Sequence, residues 1–249
     1  MSDPGRRPSG IVTRSLRFRV EPATASRAAD PMIARLGTGG PIAEELRILR
    51  SKLRVIDQER PLRCLGFVSA AGGEGKTTVA LGLAITLAQE TGTRVLLVEV
   101  DMRRPSVEHY LGLSRSEGLG DYLLRTEDDV FLRQLTDHRF TLLSAGQPAP
   151  ADPLRSDRMR DLLEAARQSF DFVVVDCPPL GPVADAVILQ DLLDGFVFVV
   201  RARHSPVESI TKAISHMKSD RIVGVIFNDN REILTSYYSY SYRKYHDRY

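Results

Sequence analysis

The chain has 249 residues, 43% hydrophobic and 27% charged, with a formal net charge of +2. That length suits one sizeable α/β domain with tails, and so small a charge gives no bulk electrostatic reason to bind nucleic acid. No apolar run reaches the roughly 18–20 residues that span a bilayer, and no apolar h-region follows the first residues, so neither a membrane span nor a secretory signal is expected.

Residues 1–31 read as a mobile basic arm. Arg6, Arg7, Arg14, Arg17, Arg19 and Arg27 outnumber Asp3, Glu21 and Asp30, and apolar periodicity is weak among frequent Pro, Gly and Ser. A solvated tail accounts for this, and so does attraction to an anionic membrane surface at ~1 kcal/mol per basic residue. Residues 32–230 read as the folded domain. Pro41 to Val55 predicts a helix, with Pro41 in its first turn and an apolar stripe of Leu46, Leu49 and Leu53. Glu44, Arg47 and Arg50 recur at three-residue spacing. They form either an intrahelical Glu44–Arg47 pair worth ~0.3–0.5 kcal/mol or a charged strip that meets another subunit.

From Arg63 onward strands and helices alternate. Strands are predicted at 63–69, 94–100, 139–144, 171–176, 195–201 and 221–227, and helices at 77–90, 157–169, 183–193 and 206–218. Ser156 is a good N-cap for the second of these helices. Near-continuous Val/Leu/Ile/Phe runs suit strands buried on both faces. The fold class is α/β: a mostly parallel central sheet with right-handed crossovers and helices on both faces. Cys64 and Cys177 lie far apart without metal-ligand spacing and read as small buried hydrophobes in a reducing cytoplasm.

The most informative stretch is Ser69-Ala70-Ala71-Gly72-Gly73-Glu74-Gly75-Lys76-Thr77-Thr78. An apolar strand leads in and a helical pattern leads out, the order a phosphate cradle needs. Gly72, Gly73 and Gly75 let backbone N–H groups turn inward with no Cβ in the way, and the helix N-terminus adds unsatisfied donors and partial positive charge. Lys76 reaches the β- and γ-phosphates and the Thr77 hydroxyl ligates Mg²⁺; Glu74 and Thr78 complete the cradle. Ala70 stands where the general pattern has its first glycine.

Two acids end strands beside this cradle, where open parallel sheets bind ligands. Asp176 closes Phe172-Val173-Val174-Val175 and reads as a Walker-B acid holding Mg²⁺ directly or through water. Asp101, in Glu99-Val100-Asp101-Met102-Arg103-Arg104-Pro105, holds the metal's water shell or accepts a proton from a hydroxyl nucleophile. With Thr77 they form the candidate metal set, and with Lys76 and Arg103 the candidate catalytic set. Asn228, at the end of the last strand, is either a base-reading amide or a turn former in Asn228-Asp229-Asn230.

Residues 231–249 change character again. Tyr237, Tyr238, Tyr240, Tyr242, Tyr245 and Tyr249 are interleaved with Ser236, Ser239 and Ser241 and with Arg243, Lys244 and Arg248. An edge strand, a sticky interaction tail or a cluster of phosphorylatable hydroxyls each explains the pattern. Each phosphate would add about −1.5 to −2 charges.

Over about Pro41 to Tyr249 these motifs, in this order, resemble the bacterial tyrosine kinases of capsule and exopolysaccharide synthesis, with their deviant Walker motifs. Glu44-x-x-Arg47-x-x-Arg50 resembles the family's subunit-contact motif and Ser69–Thr78 its Walker A. Asp101-Met102-Arg103-Arg104-Pro105 resembles the end of Walker A′. Ser144-Ala145-Gly146 lies in its linking region, and Asp176-Cys177-Pro178-Pro179 with Ala184-Asp185-Ala186 in its Walker B region. The resemblance implies a P-loop NTPase fold of the deviant-Walker type and an ATP- and Mg²⁺-dependent tyrosine autokinase. It implies tails modified between subunits of a ring that phosphorylation disassembles. It also implies a transmembrane chain-length regulator as activator, a cognate tyrosine phosphatase, and a cytoplasmic protein recruited to the inner face of the membrane through that partner. In such a kinase Asn228 falls near the adenine ring. The alternatives are a partner-stimulated ATPase of the partitioning or cell-division type, whose signature lysine position is Ala71 here, and a nucleotide-binding scaffold of reduced activity. The latter follows from Glu99, which stands where the family usually has Asp: a misplacement of about 1 Å can cost on the order of a hundredfold in rate, and Glu99→Asp would then raise activity.

Overall fold

The computed structural model describes residues 16–26, 29–38, 40–148, 152–181 and 185–230. Eight strands form one sheet: β1 (Arg17–Ala23), β2 (Cys64–Ser69), β3 (Val95–Glu99), β4 (Asp129–Leu135), β5 (Phe140–Leu143), β6 (Phe172–Asp176), β7 (Gly195–Arg201) and β8 (Ile222–Asn228). Their order is β1-β4-β5-β3-β6-β2-β7-β8. Every neighbouring pair is parallel except β4–β5. The α/β architecture with a mostly parallel sheet expected from the sequence is the one observed.

The three central strands β3, β6 and β2 are buried along their whole lengths, as strands covered on both faces must be. Beneath them lies α3 (Lys76–Ala88), with α1 (Pro31–Thr38) and α2 (Pro41–Glu59) packed outside it. So enclosed, α3 has only Thr78 not fully buried, and its sequence is apolar nearly all round, as an interior helix requires. Gly82 makes the stacking possible, because a Cβ there would lie 2.6 Å from Leu46 of α2. The opposite face is covered by α5 (Leu119–Leu124), α6 (Asp157–Ser169) and α8 (Val207–Ser215), which contribute Leu119, Tyr122, Met159, Leu162 and Ala213 to a second core. The short helices α4 (Val107–Tyr110) and α7 (Asp185–Ile188) cap loops. Ser156 caps α6 as expected, its hydroxyl accepting from Met159 N at 3.3 Å.

All six predicted strands are present within a residue or so at each end. Three expectations change. The mobile arm expected over residues 1–31 does not hold for Arg17–Ala23, which pair in parallel with β4 as the sheet's edge. The segment lacks an apolar run because most of its side chains are exposed. Backbone pairing, Arg17 and Arg19 on Asp129, and Phe18 edge-on to Phe170 at 6.1 Å hold it instead. The strand β4 itself was not anticipated, since Arg133 and Gln134 break its alternation. The helix expected over 183–193 is a single helical turn at Asp185–Ile188 followed by a 3₁₀ turn at Leu189–Asp191.

Phe18→Ala should destabilise the fold by about 1–2 kcal/mol in urea unfolding, given a half-buried ring and an edge contact. An arm free in solvent would give no change.

Candidate active site

Strand β2 delivers the chain to the loop 70–75, and α3 begins at Lys76. Gly73 and Gly75 have φ of 81° and 88°, a region closed to most side chains. At Gly75 a Cβ would also lie 2.1 Å from Asn228 Nδ2. Gly72 and Gly73 are exposed at the mouth, whereas Lys76 and Thr77 are 9% and 8% exposed. Open amides above a buried cation are the arrangement that receives a polyphosphate.

The loop is held in shape by Glu74 and Asn228 together with Arg201, His204 and Ser205, which the sequence had not marked. Glu74, counted with the cradle, is fully buried. Its carboxylate accepts from Ala71 N (3.2 Å), Arg201 N (2.9 Å) and Ser205 Oγ (2.6 Å). Arg201 Nη1 donates to Gly73 O at 3.2 Å and His204 Nε2 to Gly72 O at 2.9 Å. Residues 201–205 therefore clamp the cradle from the end of β7. A buried glutamate between glycines was the only signal of this in the sequence. Asn228, expected beside a base, commits its amide nitrogen to the same clamp, donating to Glu74 O at 2.9 Å.

Strands β3 and β6 bring the two acids to the cradle. Asp101 Oδ2 lies 3.6 Å from Lys76 Nζ, and Asp101 Oδ1 accepts from Arg104 N at 3.1 Å. Asp176 is 1% exposed, and neither carboxylate oxygen has a protein donor in ordinary hydrogen-bond geometry. Burial pushes its pKa up to about 6; Lys76 and the Thr77 hydroxyl favour the charged form without offsetting that penalty, and Asp101 adds to it. An orphaned buried carboxylate beside a threonine hydroxyl and a second acid is the hard-oxygen donor set that suits Mg²⁺. Glu99, opposite Asp176 in the β3–β6 register, is pushed up to about 7, chiefly by burial and against the backbone N–H groups it accepts. Arg103 is exposed on the turn after Asp101.

The other candidates are not gathered here. Glu44 and Arg47 pair at 2.8 Å on the exposed side of α2. Arg50 does not share that outward strip: it donates to Thr86 O at 3.0 Å and meets Glu90 at 3.2 Å, tying α2 to α3. The tyrosines Tyr237, Tyr238, Tyr240, Tyr242, Tyr245 and Tyr249 lie outside the described residues. Cys64 and Cys177 are both buried, as expected.

A profile of the ParA family, described as NUBPL iron-transfer P-loop NTPase, matches residues 62–237. Tyrosine-protein kinase YwqD of Bacillus subtilis is 31% identical over 203 residues, which cover 80% of this chain and 85% of that protein. Tyrosine-protein kinase etk of Escherichia coli is 29% identical over 202 residues, 79% of this chain but 28% of that protein. The solved kinase domain of Escherichia coli tyrosine kinase ETK matches with a TM-score of 0.73 at 27% identity, covering 80% of each chain.

Asp176 has a folded pKa above its unfolded value, so it stabilises the fold when protonated. That contribution is full below about pH 4 and is lost as pH rises through about 6. In nucleotide- and metal-free protein at pH 8, Asp176→Asn should therefore raise stability by up to about 3 kcal/mol, and the gain should shrink toward pH 5 in thermal unfolding. A variant less stable than its parent at pH 8 would show that the carboxylate has a partner after all.

Proposed function

This chain belongs to the bacterial tyrosine kinases within the ParA-type P-loop NTPases, and we propose on that footing that it phosphorylates the tyrosines of its own residues 231–249. The carrying observation is the 3.6 Å approach of Lys76 to Asp101 over the buried, unpartnered carboxylate of Asp176.

In this reading the loop amides and Lys76 hold the β- and γ-phosphates of ATP. Thr77 and Asp176 would hold Mg²⁺, which when bound neutralises phosphate charge and fixes the γ-phosphate. A tyrosine Oη attacks the γ-phosphorus, the bond to the β–γ bridging oxygen breaks, and ADP leaves. Asp101 accepts the phenolic proton. Arg103, exposed on the adjoining turn, adds positive charge at the cleft mouth.

The acceptor tail carries Arg231, Arg243, Lys244 and Arg248 against Glu232 and Asp247. Two phosphates would therefore reverse its sign. Transfer runs between subunits of a ring in which the exposed Glu44 and Arg47 meet a neighbour; Arg50, bound within its own subunit, supports α2 from behind. Among the described residues no helix is long and apolar enough to cross a membrane. By the family resemblance, the reading includes a transmembrane chain-length regulator that recruits the kinase to the inner face of the membrane, and a phosphatase that resets it. The cycle tunes exopolysaccharide or capsule polymerisation and export.

Iron transfer has little support, because burial pushes the Cys64 thiol up to about 12 and the Cys177 thiol higher still. The partitioning-type ATPase is disfavoured by Ala71 at its signature lysine position.

With labelled ATP, Mg²⁺ and an activating segment, phosphotyrosine should appear on residues 237–249 and fall to background in Lys76→Met. Tail tyrosines that stay unlabelled under activation would defeat the proposal. Reversing Arg47 to Glu should lower the mass seen in light scattering toward the monomer; an unchanged mass would leave Arg47 only its Glu44 pair.

A further inference from the structure

Glu99 ends β3 and is 1% exposed. Its carboxylate does not face the cradle alone. Oε1 accepts from Ser106 N at 2.5 Å and Val107 N at 2.9 Å, and Oε2 from Ala145 N at 3.4 Å. The first two contacts close the turn 99–106 on itself, and that turn carries Asp101 and Arg103. Val107 also starts α4, so the carboxylate receives amides that a helix start leaves unpaired.

The third contact fastens the turn to residues 144–147, and that backing is rigid. Leu119 N and Gly120 N donate to Ser144 O and Ala145 O at 2.8 and 2.9 Å. Asp121 Oδ2 accepts from Gly118 N and Gln147 N at 2.9 and 3.0 Å. A Cβ on Gly118 would lie 2.1 Å from Ser144 O, and one on Gly120 2.0 Å from Gln147 O. At its near end the turn is fixed to β6 through Val100 N on Asp176 O at 2.9 Å. With Asp101 Oδ1 held by Arg104 N, Oδ2 is the oxygen left facing Lys76.

We propose that Glu99 is a positioning residue: its carboxylate clasps the Asp101 turn to α4 and to residues 144–147, and so sets where Asp101 stands relative to Lys76. The longer side chain is then a requirement of this fold and no sign of decay. Aspartate would withdraw the carboxylate by about one C–C bond, roughly 1.5 Å, too far for contacts that begin at 2.5–3.4 Å. Glutamine would set a donor against a backbone donor. The inference uses the kinase reading for its activity measurements only.

Residue-resolved hydrogen exchange on the nucleotide-free full chain tests it without catalysis. In Glu99→Asp the Ser106 and Val107 amides should exchange at least about tenfold faster, whereas in Glu99→Gln, whose amide oxygen keeps those two contacts, it is the Ala145 amide that should do so. The Ala71 and Arg201 amides, held by Glu74, should keep their rates within about twofold. In single-turnover labelling each variant should lose about tenfold or more in rate with the ATP KM within about threefold. Combined with Asp101→Asn, neither should cost more than Asp101→Asn alone, because Glu99 acts through that carboxylate. Unchanged exchange at Ser106 and Val107 in Glu99→Asp, losses that multiply with Asp101→Asn, or a Glu99→Asp enzyme as fast as its parent would each overturn the proposal. Should the parent label no tyrosine, the kinase reading fails while the exchange measurement still decides the role of Glu99.

Discussion

The site is organised around an electrostatic debt. Asp176 sits at the tip of a fully buried strand, with Asp101 close by and only Lys76 and the Thr77 hydroxyl to favour its charged form. Isolated carboxylates are not buried without cause, because desolvation penalises the charged form heavily. In the proposed reading an arriving cation resolves the imbalance, and the loop amides supply the matching place for phosphate. On that reading, the unfavourable burial of the Asp176 charge is what couples metal to polyphosphate.

Much of this was legible in the chain. Buried strands advertise themselves as unbroken Val/Leu/Ile/Phe runs, so β2, β3, β5, β6 and β7 could be read directly, and the half-exposed edge strand β8 carries the same kind of run. The cradle, the two acids and Ser156 follow from local chemistry that tertiary context does not override. The edge was different. Strand β1 is stabilised mainly by backbone pairing and ion pairs, and its composition of Arg, Glu and Pro matches that of an unstructured arm. Only its partner β4, whose alternation Arg133 and Gln134 break, reveals it.

Side-chain direction was the other limit. Three-residue spacing places Glu44, Arg47 and Arg50 on neighbouring positions, yet a long arginine side chain reaches inward or outward as partners dictate, and Arg50 finds Thr86 and Glu90. Likewise Glu99 looks like a one-methylene error in a catalytic motif until its backbone partners are seen. Glu74 looks like a spacer between glycines until it is found holding β7. Long-range hydrogen bonds to main chain leave no periodic trace, so the partners of Arg50, Glu99 and Glu74 could not be read from the chain.

The clamp built from Glu74, Arg201, His204 and Asn228 has a thermodynamic corollary. A loop of bare glycines would have to freeze several backbone torsions each time a nucleotide arrived, at roughly 1–2 kcal/mol apiece. Here the freezing was done during folding, by contacts that involve no ligand. Nucleotide affinity is thus partly stored in a segment more than a hundred residues downstream. Sequence drift at 201–205 would surface as weaker retention of ADP or ATP, with the glycine motif itself untouched.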